Sequence, residues 1–173
     1  MRILDYFTAD WHLGHANIIE YCHRPFKNTD RMKHTLISNY RKVVTPDDTI
    51  YFVGDMALVG PANKNFLATI TEQLPGNKIL IFGNHDKLSW RDYIEDCGFR
   101  SVHSSLYLPE YDFYLCHDPV ASITMSDKIW ICGHTHHLFK TFKNIINVSV
   151  ENWEYFPVSA TELIELAKGM RNV

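Results

Sequence analysis

Six stretches of the chain are dominated by apolar residues: 2–8 (RILDYFT), 49–53 (TIYFV), 78–82 (KILIF), 112–116 (DFYLC), 128–132 (KIWIC) and 144–150 (NIINVSV). Most run on without polar alternation and are rich in Ile, Val, Phe and Tyr, the pattern of strands covered on both faces. Between the early strands the period changes. Met32, Leu36, Tyr40 and Val43 recur at three and four residues after the caps Asn28 and Thr29, and Phe66, Ile70 and Leu74 do so after Pro61, which suits a first helical turn. Ser89 and Asp92 open a short helix that Gly98 can close, and Ser159 with Glu162 forms a capping box for the last helix. Strand, helix, strand, helix, then a strand-rich second half predicts an α/β chain with a mixed sheet or two. With no linker, low-complexity tract or repeat to divide it, residues 1–173 read as a single domain.

Where the strands stop is the informative part. The first runs into Ala9-Asp10-Trp11-His12, the second into Gly54-Asp55, the third into Gly83-Asn84-His85-Asp86, the fourth into His117 and the fifth into Gly133-His134-Thr135-His136. Ligands of open α/β sheets bind beyond the carboxyl ends of the strands, where loops carry polar groups on a rigid base. Gly54, Gly83 and Gly133 each precede a candidate ligand and let backbone approach closely. Taken singly these signals are weak, because an Asp-x-His arises by chance and a lone histidine at a strand end is usually structural. Five in this order, each after an apolar strand, resist independent structural explanations.

Asp10, His12, Asp55, Asn84, His117, His134 and His136 offer oxygen and imidazole nitrogen, a mixture that borderline divalent metals accept, and no thiolate lies within the motifs. Seven groups are too many for one ion. Two ions about 3.5–4 Å apart, bridged by one carboxylate, would use them all and could activate a water while clamping phosphate oxygens.

Composition narrows the partners. A content of 46% apolar and 21% charged residues is that of an ordinary globular chain, and the net charge of −3, without any long run of like charge, argues against a long nucleic-acid partner. No signal-peptide pattern or apolar run long enough for a membrane span opens the chain. Cys22, Cys97, Cys116 and Cys132 are too widely separated for a CxxC motif and read as buried free thiols of a reducing, cytoplasmic compartment.

The ordered set from Asp10-x-His12 to Gly133-His134-Thr135-His136 resembles the signature of the calcineurin-like metallophosphoesterases, and FTADWHLGHANIIEYCHRPF resembles the opening of small phosphoesterases of that group from bacteria and phages. The resemblance implies a β-sandwich of two mixed sheets flanked by helices. By similarity Asp10, His12 and His136 hold one divalent ion, Asn84, His117 and His134 hold the other, and Asp55 bridges them. Manganese is the favoured metal, with iron, zinc, nickel and magnesium as alternatives. His85 then stabilises the transition state or protonates the leaving oxygen, oriented by Asp86, after attack by a metal-bridging hydroxide. The second motif, GDMALVGP, lacks the arginine that clamps a phosphomonoester in related enzymes, which favours a phosphodiester. The expected substrate is a small phosphodiester or nucleotide. A monoesterase, a small nuclease and a non-catalytic scaffold are the alternatives, and oligomeric state is left open.

Other residues carry weaker expectations. His15 either points into the site or caps the next helix, His137 faces solvent, and Arg24 reads as a solvated helix-end charge. Trp11 could wall the pocket, and WEYFP at 153–157 reads as core or an oligomer contact.

Overall fold

Strand β1 (Asp5–Thr8), β2 (Thr49–Val53), β3 (Asn77–Ile81) and β4 (Ser101–His103) lie parallel and side by side, with β10 (Val158–Ser159) antiparallel along the outer edge of β1. In the second sheet β6 (Phe113–Leu115), β7 (Ile129–Cys132) and β9 (Ile145–Asn147) are parallel, edged by the antiparallel β5 (Leu106–Leu108) and β8 (Thr141–Phe142). The chain is therefore an α/β protein of two mixed sheets flanked by helices. The computed structural model describes residues 4–58, 64–120 and 127–171, so residues 2–3 of the first predicted strand and Pro61 lie outside the described residues.

Period-two alternation sorts the side chains into two cores. Phe7, Tyr51, Val53 and Ile81 meet Phe113, Leu115, Ile131 and Ile146 between the sheets. On the other side of the first sheet, Tyr6, Ile50, Phe52 and Leu80 pack under α2 (Thr29–Val43), α3 (Lys64–Thr71) and α4 (Arg91–Asp96) through Met32, Leu36, Leu67 and Ile94. The uninterrupted apolar character of β2 follows, since a strand covered on both faces has no wet side. Each such side chain contributes about 1.5–3 kcal/mol of transfer free energy when fully buried.

Local signals placed the helices. Asn28 Oδ1 accepts the Arg31 amide at 3.0 Å to start α2. Ser159 and Glu162 form a reciprocal capping box, with the Ser159 amide donating to Glu162 at 3.0 Å, at the start of α5 (Ala160–Arg171). The predicted strand at 144–150 is split. β9 ends at Asn147, and the chain then bridges to the exit of β1, with the Ala9 amide donating to the Val148 carbonyl at 3.0 Å and the Val150 amide to the Ala9 carbonyl at 3.2 Å. That crossing brings Ser149 and Glu151 up against the loop after β1. No helix among the described residues is long and apolar enough to cross a membrane.

Candidate metal centre

Parallel register aligns the carboxyl ends of β1, β2 and β3, pairing Thr8 with Phe52 and Val53 with Ile81. Beyond those ends, and beyond β7 in the second sheet, the backbone turns sharply at the polar residues themselves. Asp10, His12, Asp55, His134 and His136 have φ of 59°, 50°, 55°, 70° and 47°, a left-handed conformation that side chains rarely adopt. Strain of this kind costs about 1–3 kcal/mol per residue and persists only where surrounding bonds impose it. Here the Asp10 amide donates to the Gly54 carbonyl at 3.0 Å and the His12 amide to the Asp55 carbonyl at 2.9 Å. Two glycines make room. A Cβ on Gly54 would come within 2.1 Å of the His117 ring, and one on Gly83 within 2.1 Å of the Asp55 carboxylate.

Asp10 is fully buried. Its Oδ2 accepts the His134 amide at 2.9 Å and the Ser149 hydroxyl at 2.6 Å. Its Oδ1 has no hydrogen-bond partner, and neither has the buried Nε2 of His12, 3.6 Å away. His136 Nε2 lies 4.0 Å from the same oxygen. An unsatisfied buried polar atom costs about 1–3 kcal/mol, so carboxylate and imidazole atoms left bare around one point fit a cation between them. Burial alone would raise the Asp10 carboxyl, but the imidazoles of His12, His117 and His136 and the Ser149 hydroxyl outweigh it and hold it down at about 2.

Asp55 joins this group to a second one. Its Oδ2 is 3.7 Å from His12 Nε2 and 3.3 Å from His117 Nε2, so one oxygen faces imidazoles of both groups. Asn84 Oδ1 lies 3.0 Å from His117 Nε2 and 2.8 Å from His134 Nδ1. His117 Nδ1, 2.8 Å from the Val53 carbonyl, is fixed as the donor nitrogen, which leaves Nε2 for the cluster. Burial would lower the His117 pKa, but Asp55 and Asp10 raise it to about 9; His136, half-buried, is raised to about 10 by Cys22, Glu151 and Asp10. In the metal-free protein two imidazolium charges thus stand among the carboxylates. The sets Asp10–His12–His136, Asp10–Asp55–His117 and His12–Asp55–His85 each keep their ligand atoms within 4.8 Å of one another, so the protein has clusters that could hold metal ions.

All seven sequence-predicted ligands meet here. His85 does too, its ring centroid 5.3 Å from that of His12 and its amide held by Asp55 Oδ1 at 2.9 Å. Asp86 differs from expectation: its Oδ2 accepts the Asp55 amide at 2.8 Å and the Gly83 amide at 2.9 Å, so it fastens the β2 and β3 loops together instead of supporting the His85 ring. Burial pushes its pKa up. Trp11 is also corrected. It is 1% exposed in the helix-side core, edge-on to Phe52 and Tyr40, with its indole donating to Thr8 Oγ1, and it forms no wall of the site. Of the WEYFP residues, Trp153 and Tyr155 pack against the two cores.

Arg24 is the largest departure. Its side chain is 0% exposed and donates to the Asp10 and Trp11 carbonyls at 2.6 and 3.0 Å and to Glu151 Oε1 at 2.6 Å. Glu151 Oε1 in turn lies 3.1 Å from His136 Nδ1, turning Nε2 of that ring toward Asp10. Asn147 donates to the His136 carbonyl at 2.8 Å and holds the 3₁₀ turn His136–Leu138. Sequence reasoning missed Glu151, Ser149 and Asn147. It also gave Cys22 no part beyond a buried thiol, whereas its sulfur lies with His136 and Glu151 in a further cluster.

Above the two groups opens a cleft of about 420 Å³, bordered on one side by α1 (Ile18–Tyr21) and on the other by the His136–Leu138 turn. His15 lines it, which decides the alternative left open by the sequence, and the exposed His137 stands at its border.

No family model matches the chain. It is 38% identical over 179 residues to the uncharacterized protein MJ1445 of Methanocaldococcus jannaschii, covering 97% of this chain and 95% of that one. The chain belongs to the family of that protein. Within reach of the same comparison is the gene 66 protein of Mycobacterium phage L5, 31% identical over 193 residues, 93% of this chain and 92% of that one. Among solved structures, the protein of unknown function AQ665 from Aquifex aeolicus superposes with a TM-score of 0.75 at 26% identity, over 95% of this chain and 100% of that one. The fold is thus shared with a bacterial protein, and the sequence with an archaeal and a phage-encoded one.

Proposed function

We propose that this chain is a calcineurin-like metallophosphoesterase that uses two divalent ions to hydrolyse a phosphodiester. One observation carries the reading: a buried carboxylate oxygen of Asp10 and the facing nitrogen of His12 lack any partner, in a cluster assembled from loops after several different strands. Asp10, His12 and His136 would hold one ion and Asn84, His117 and His134 the other, with Asp55 Oδ2 between them. When bound, the ions supply electrophilic activation of the phosphate and of water, with manganese the favoured metal.

The protein's own residues do the rest. Asp10 and Asp55 are ionised at neutral pH, their carboxyls held low by the imidazoles and hydrogen bonds that outweigh burial. His85 stands at the cleft beside His12, anchored through its amide to Asp55. As the bond from water oxygen to phosphorus forms and the ester P–O bond breaks, His85 gives its proton to the departing oxygen. Asp86 keeps the loops carrying Asp55 and His85 at a fixed separation. Among the described residues lining the cleft there is no lysine or arginine, which suits a singly charged diester better than a doubly charged monoester.

The test is hydrolysis of bis(p-nitrophenyl) phosphate and p-nitrophenyl phosphate with manganese present. The diester is expected to be cleaved faster. His85→Ala should lose about 100-fold or more toward a diester with an alkyl leaving group and less toward nitrophenyl esters, whose leaving group needs no proton. Full activity of that variant on alkyl diesters would remove His85 from the mechanism.

A further inference from the structure

The cleft that opens from the candidate metal centre has two unlike walls. Tyr21, at the end of α1, is 66% exposed, and Leu138, closing the turn opposite, is 76% exposed. A large apolar side chain so open to water gains nothing for the fold by being there. Behind Tyr21 the rings continue inward. Its ring centroid is 6.2 Å from that of His15, and His15 is 5.8 Å from His12 and 6.3 Å from His85. An unbroken row of aromatic faces and edges therefore leads from the reacting centre to the solvent. His15 stands in the middle of this row and lines the cleft.

We infer that this row is the subsite for one ester substituent of the substrate, and that the substituent is a nucleoside. The inference rests on the phosphodiesterase reading above. A flat heteroaromatic ring fits between an aromatic and an aliphatic wall, whereas a flexible alkyl chain would use only part of either. Stacking on an aromatic side chain tolerates any base. Cation-rich binding of a polyphosphate or a long strand is not what the walls provide, since the described residues of the cleft bring no lysine or arginine. The subsite thus selects a small diester with a planar group on one side.

The experiment measures kcat/KM for dithymidine monophosphate and for diglyceryl phosphate, two diesters of which only the first has rings, in wild type, Tyr21→Ala, Tyr21→Phe and His15→Ala. The wild type is expected to prefer the dithymidine diester. Tyr21→Ala should cut the ratio of the two constants about tenfold, mostly through KM, and Tyr21→Phe should keep it. His15→Ala should lower the ratio as well. The ratio within each variant cancels its fraction folded, and comparing ratios between variants cancels the intrinsic reactivity of the two diesters. A wild type that cleaves both diesters with a ratio unmoved by Tyr21→Ala overturns the subsite and leaves the phosphodiesterase reading standing. A manganese-loaded wild type that cleaves neither overturns both.

Discussion

Asp48 and Asp55 stand at opposite ends of the same strand, both buried, and they show what a carboxylate does when its bonds are complete and when they are not. At the entry of β2, Asp48 Oδ1 accepts the Leu4 amide at 2.8 Å, and Oδ2 accepts the Thr45 amide and hydroxyl at 2.8 and 2.7 Å. Every bond serves the chain, and the residue ties a turn to the start of a strand. At the exit, Asp55 Oδ1 accepts the His85 amide, but Oδ2 faces two imidazoles at 3.3 and 3.7 Å. Its neighbour Asp10 leaves Oδ1 wholly bare. The entry end spends its polar groups on stability, and the exit end keeps some in reserve.

Substitutions at the two ends should separate these roles. Asp55→Asn is expected to lower diester hydrolysis by the folded protein about 100-fold or more. Asp48→Asn should do the reverse, destabilising the fold by about 2–3 kcal/mol in chemical denaturation while the folded fraction still binds manganese. If Asp48→Asn melts like the wild type, or Asp55→Asn keeps its rate, the contrast fails. A smaller effect tests how the exit end is supported. Glu151→Gln should weaken manganese binding about 10- to 100-fold in titration calorimetry, and unchanged affinity would show that His136 needs no orienting partner.

The mildest probe is pH. In the metal-free protein His117 and His136 are held above the ordinary imidazole value of 6.5, at about 9 and 10, so their contribution to stability is complete below 6.5 and is lost as pH rises through those values. Asp10, lowered from 3.8 to about 2, contributes above 3.8 and ceases to as pH falls through about 2. With chelator present, the melting temperature should decline from pH 7 to 10. Metal binding has the opposite slope, because it must displace those protons, and calorimetry in buffers of different ionisation enthalpy should register their release. A melting temperature that climbs over the same range would contradict the assigned partners.

Much of the exit end was legible from the amino-acid sequence because its residues follow apolar strands directly, so a local pattern marked Asp10, His12, Asp55, Asn84, His117, His134 and His136. The α2 cap and the α5 capping box were legible for the same local reason. Arg24 and Glu151 were not. Their bond joins chain segments far apart, and nothing near either residue signals a buried partner. Asp86 was misread because adjacency to His85 suggested a contact, while the turn after β3 carries its carboxylate toward the Asp55 amide. The edge strands β4, β5, β8 and β10 are two or three residues long, too short for any period to show.

The Asp86 clasp has a corollary. By riveting the loops after β2 and β3 to each other, it fixes the spacing of Asp55 and His85 whatever Tyr21 and Leu138 present at the mouth of the cleft. On the proposed function, substitution of Tyr21 would retune which molecule is admitted while that spacing stays as it is.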